Sequence, residues 1–97
     1  MNYDHRIVSL KCKPEDMEAF RLWLRESFLR LRQVPGCRSL QIVSDMADST
    51  SFYTIGTWHD VEAPETYRTS PLFKGICPRV KTFLREPVWV STCEKIE

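Results

Sequence analysis

Between Arg6 and Cys12 the chain alternates, with Val8, Leu10 and Cys12 on one side and Ile7, Ser9 and Lys11 on the other. A period of two rich in β-branched residues predicts a strand. Lys13-Pro14-Glu15-Asp16 then reads as a helix start, with proline where no hydrogen bond is lost and acids in the first turn. Met17, Phe20, Leu24, Phe28 and Leu31 follow at spacings of three and four and predict a helix from Pro14 to about Gln33. Leu22, Trp23 and Leu29 widen its apolar stripe, as contact on two sides or a pocket wall would require. Val34-Pro35-Gly36 stops it.

Cys37–Ser44 predicts a second strand, with Leu40 and Ile42 opposed to Gln41 and Val43. The polar run Asp45–Thr50 joins it as a hairpin to a third, Phe52–Trp58. Gly56 inside the third strand marks either a bulge or a close backbone approach. Asp60 caps a short helix reaching Thr69, with Glu62 and Pro64 in its first turn. Ser70-Pro71 starts another, whose apolar face is Leu72, Phe73, Ile76, Val80, Phe83 and Leu84. Pro78 is expected to kink or split it near Cys77. Glu86-Pro87 ends it, and Val88–Lys95 alternates as a last strand.

The order is β-α-β-β-α-β, with the second helical stretch in two pieces. That is the ferredoxin-like α+β arrangement, one four-stranded antiparallel sheet with helices on one face. The other face would carry Ile7, Val43, Tyr53 and Ile55 into water. A second copy packed sheet to sheet would cover them, so a homodimer is expected.

Length and charge narrow the classes. The 97 residues suit one domain over the whole chain. A net charge of +1 gives no electrostatic reason for nucleic acid or an anionic membrane as partner. No apolar run approaches a membrane span. Met1-Asn2-Tyr3-Asp4-His5-Arg6 lacks a signal-peptide pattern, so the cytoplasm is the expected location. Cys12, Cys37, Cys77 and Cys93 form no Cys-x-x-Cys pair and stand away from His5 and His59 in sequence; free thiols, and no zinc site, are expected. Three glycines make no phosphate loop, so no nucleotide cofactor is expected.

The aromatic strand ending Trp58-His59-Asp60, an aromatic nine residues later at Tyr67, Ser70-Pro71-Leu72-Phe73, and a hydrophobic helix followed by Pro87-Val88 together resemble the antibiotic biosynthesis monooxygenase domain family. The resemblance covers the chain in element order, and residues 52–73 carry it most specifically. It implies a dimeric α+β barrel with a pocket between sheet and helices. Members include cofactor-independent oxygenases of polycyclic phenols, haem-degrading enzymes, isomerases of small signalling molecules and proteins without known activity. The aromatic-oxidising members use Trp, Asn, Tyr and Arg. Trp58, Tyr67 and Arg68 or Arg79 match three of these types; the single asparagine, Asn2, matches no site position.

The lead expectation is a hydrophobic aromatic molecule, phenol- or hydroquinone-like, oxidised by dioxygen without metal or flavin. Trp58 would be its stacking wall, Tyr67 its hydrogen-bonding or proton-transfer group and Arg68 its charge partner. Phe73, Cys77, Arg79, Trp23 and His59 complete the candidate binding set. A tyrosine with its ordinary pKa of about 10 is a poor base at neutral pH. Each candidate also has a plain structural role: Trp58 and Trp23 as packing anchors, His59 as an exposed loop residue, Cys77 as an inert thiol, Arg79 as solvated helix surface. A non-catalytic binding or structural dimer is the alternative. A protein that handles haem through Cys77 is the third, although it departs from the haem-degrading members, whose Trp, His and Asn positions hold Tyr67, Cys77 and Ser9 here.

Overall fold

The computed structural model describes residues 4–59 and 63–96. Strand β1 (Asp4–Lys11) leads through a 3₁₀ turn (Pro14–Asp16) into helix α1 (Met17–Leu31). Strands β2 (Cys37–Ser44) and β3 (Ser51–Trp58) form a hairpin. Helices α2 (Ala63–Arg68) and α3 (Pro71–Phe83) follow, and β4 (Trp89–Glu94) closes the chain. The sheet is antiparallel throughout in the order β2-β3-β1-β4, the predicted ferredoxin-like α+β topology.

Local chemistry sets the turns. Gly36 ends the α1 connection at φ 89°, a conformation that a side chain would strain. In the β2–β3 turn the Asp45 carboxylate accepts from the Ala47 and Asp48 amides at 2.7 and 3.2 Å. Asp48 accepts from the Thr50 amide and hydroxyl and from the Ser51 hydroxyl. Those bonds hold the Asp48 carboxyl down at about 2, with the Thr50 hydroxyl contributing most. Ser70 caps α3 by accepting from the Phe73 amide at 3.2 Å, with Pro71 in the first position. The Asp60 cap and Glu62 lie outside the described residues.

Two alternatives left open by the sequence are narrowed here. Pro78 does not split α3, which runs unbroken from Pro71 to Phe83. Ile76, Val80 and Phe83 bury the helix on both sides of the proline, and that packing offsets the lost hydrogen bond. Gly56 is not a bulge. The sheet's irregularity falls between Cys37 and Ser39, while a Cβ at Gly56 would stand 3.4 Å from Trp58 Nε1 and 3.5 Å from Leu40 Cδ1. Close approach is the reading that survives.

The helices cover one face of the sheet. Leu10, Leu40 and Phe52 pack there under Phe20, Leu24, Phe28 and Leu31 of α1 and Ile76, Val80 and Phe83 of α3. Leu22, expected to widen the stripe, is 58% exposed. The opposite face carries half-buried Ile7, Tyr53 and Ile55. At its margins Val43 and Trp89 are 39% and 61% exposed.

Candidate functional site

The helix-facing residues of β3 are Phe52, Thr54, Gly56 and Trp58: bulky, small, none, bulky. Their partners on β1 are Leu10, Val8, Arg6 and Asp4. At the Phe52 end the layer is solid. Phe20 meets Phe52 edge-on at 5.4 Å and lies tilted against Phe83 at 5.1 Å. Past Thr54 the side chains shrink, and a cavity of about 560 Å³ opens between sheet and helices. That size suits a small-molecule site.

Val8, Thr54, Gly56 and Val90 form much of the cavity floor, and Ile76, Cys77 and Val80 of α3 its roof. Phe28 and Leu31 of α1 close one side. Val88 and Val90, 38% and 48% exposed, border it where the helices do not reach, so it opens along β4. Trp58 and Tyr67 stack with centroids 6.0 Å apart, and Phe73 meets Tyr67 edge-on at 5.2 Å. Ser70 holds this corner together: its hydroxyl donates to the Tyr67 carbonyl while its oxygen caps α3.

Burial pushes the Tyr67 phenol up to about 12, and the neighbouring Cys77, when charged, adds to that. Tyr67 is therefore a hydrogen-bond donor at neutral pH and no base. The described lining residues include neither histidine nor carboxylate. Among the described residues no three His, Cys, Asp or Glu side chains come together as a metal set.

Of the candidates chosen from sequence, Trp58, Tyr67, Arg68, Phe73 and Cys77 meet at this cavity. Trp23, His59 and Arg79, expected beside them, are not among its lining residues. Trp23 belongs to the solid end, against Phe20, Phe28 and Phe83. His59 is exposed, and its amide donates to the Gly36 carbonyl at 2.8 Å. Arg79 lies over the Phe83 ring at 4.9 Å. Ser9 falls on the outer face of the sheet, between Tyr53 and Trp89, so it does not join Tyr67 and Cys77.

Sequence reasoning passed over Arg6 and Lys81, both at the cavity. Arg6 had a legible signal: it stands in phase with Val8, Leu10 and Cys12, a cation on a strand's buried side. Lys81 had none, being one of several cations on an amphipathic helix.

The profile of the family described as Antibiotic biosynthesis monooxygenase matches residues 5–79. Among solved structures, one described as an antibiotic biosynthesis monooxygenase superposes with a TM-score of 0.88 at 22% identity, over 97% of this chain and 99% of that one. PA3566 from Pseudomonas aeruginosa gives 0.87 at 23% identity, over 100% and 97% of the two chains. Rv0793 from Mycobacterium tuberculosis gives 0.87 at 20% identity, over 98% and 96%. No curated protein matches the chain in sequence. Identities this low establish a shared fold, and the fold hosts many chemistries.

Proposed function

This chain belongs to the antibiotic biosynthesis monooxygenase family, and on that premise we propose that it binds a hydrophobic aromatic molecule between its sheet and helices and oxidises it with dioxygen. The observation that carries the reading is the cavity of about 560 Å³ bordered by Trp58, Tyr67 and Phe73. Aromatic walls at these angles suit a flat ring system. Tyr67, held protonated, donates to a phenolic or quinone oxygen of the ligand. Trp58 stacks on the rings, and Arg68 and Cys77 border them.

In the proposed reaction the substrate supplies its own electrons. A phenol with a free para carbon and one dioxygen give a quinone and one water, so one oxygen atom enters the ring and the other leaves as water. Neither a histidine nor a carboxylate stands among the described lining residues to take the phenolic proton, which goes to solvent at the open β4 side. That same lack favours a second reading, in which the cavity binds without turnover. An oxygen electrode separates the two. Addition of 1,5-naphthalenediol, whose para carbons are free, to the purified protein should consume about one dioxygen per hydroxynaphthoquinone formed, faster in wild type than in Tyr67→Phe. Saturable binding without oxygen uptake leaves the binding reading alone standing.

The outer sheet face supports a homodimer as part of the proposal, since Val43, Tyr53, Ile55, Ile7 and Trp89 leave apolar surface without a cover in one chain. Sedimentation equilibrium would read it; a monomer at micromolar concentration contradicts it. Among the described residues no helix is long and apolar enough to cross a membrane. A cytoplasmic setting belongs to the same proposal, because the free thiols of Cys12, Cys37, Cys77 and Cys93 persist in a reducing compartment.

A further inference from the structure

Arg6 brings a charge into the cavity that nothing described in the protein answers. It stands on β1 between Gly56 of β3 and Thr92 of β4, on the helix-facing side of the sheet. Its Nε is buried with no hydrogen-bond partner among the described residues. Val8, Trp58, Ile76 and Val90 make the neighbouring lining largely apolar, and no carboxylate is found among the described lining residues. A guanidinium keeps its proton at any working pH, so it cannot escape this setting by becoming neutral. A buried donor left unpaired is costly. A ligand that brings the missing acceptors relieves that cost, which ties affinity to the ligand's own charge.

We infer that the cavity's ligand is an aromatic carboxylic acid, seated with its carboxylate on Arg6 and its rings against Trp58, Tyr67 and Phe73. The guanidinium fork matches a planar carboxylate with two parallel hydrogen bonds. A phosphate is more strongly hydrated and wants more donors than one half-buried guanidinium and one tyrosine hydroxyl supply. Arg68 and Lys81, exposed at the same cavity, add a positive approach for an anion. The inference rests on the reading of the cavity as the ligand site and adds the charge that the ligand carries.

Calorimetric titration with 2-naphthoate and its neutral counterpart 2-naphthamide tests it. In wild type the acid binds about tenfold tighter than the amide or better, the difference expected for a hydrogen-bonded charge pair. Arg6→Met removes that preference and leaves the affinity for the amide within about twofold. Arg6→Lys, which keeps the charge without the fork, retains part of it and covers the case in which Arg6→Met does not fold. Equal affinity of wild type for the two probes overturns the inference while leaving the cavity as an aromatic site. Loss of the preference in Lys81→Gln but not in the Arg6 variants overturns the assignment to Arg6. Binding of neither probe removes both the inference and the reading beneath it.

Discussion

The two ends of the sheet–helix layer contain similar residues and do different things. At one end Phe20, Phe52, Phe83 and Trp23 fill the space, their ring centroids 5.1 to 6.1 Å apart in the pairs that touch. At the other, Trp58, Tyr67 and Phe73 stand at similar separations around a cavity. The difference lies in what sits opposite. Phe20 of α1 comes down on Phe52, whereas Thr54, Gly56, Val8 and Val90 leave the floor low under α3. Aromatic content alone does not make a site; small residues facing the rings do.

That contrast can be broken first at the solid end. Phe20 is fully buried, so Phe20→Ala should cost about 3–5 kcal/mol in urea unfolding. A loss below about 1 kcal/mol would mean that this end is not the packed one.

The open end answers next, through pH. The Tyr67 pKa is raised in the folded protein, from 10.0 to about 12, so the folded state holds the phenolic proton more tightly than the unfolded chain does. Stability is unaffected by Tyr67 below pH 10 and falls as pH rises from 10 towards 12. Thermal melts over that window should show the fall in wild type and a shallower one in Tyr67→Phe. Identical slopes would place the Tyr67 hydroxyl in water.

A smaller effect comes from the cap that serves both ends. Ser70 starts α3, which carries Phe73 to the open end and Phe83 to the solid one. Ser70→Ala should cost about 1 kcal/mol. Because Ser70 also bonds the Tyr67 carbonyl, ligand affinity should weaken with it.

Much of the fold was legible in sequence, because alternation on the strands and the three–four spacing of α1 answer to the same burial that the structure shows. Capping chemistry at Ser70-Pro71 worked for the same reason: it is local. What failed was non-local. Trp23 widens a helix stripe whether it meets a ligand or Phe83, and its sequence position does not distinguish them. Arg79 and Arg68 both belong to the α2–α3 region, yet only Arg68 reaches the cavity, since Arg79 settles over the Phe83 ring. Pro78 allowed either a kink or a split, and the packing on both of its sides keeps the helix in one piece. The pocket itself depended on register, which sets Gly56 opposite Arg6 and Leu40, and register is read only once strands are paired.

The two buried or half-buried tryptophans are natural reporters for the two ends. A proton–nitrogen NMR titration of the uniformly labelled protein with 2-naphthol would follow the indole N–H signals of Trp58 and Trp23 together. Binding in the cavity should shift the Trp58 indole and the Gly56 and Thr54 amides saturably, with the Trp23 indole unmoved. A Trp58 signal that stays fixed, or one that moves no more than that of Trp23, would contradict an aromatic site at the open end.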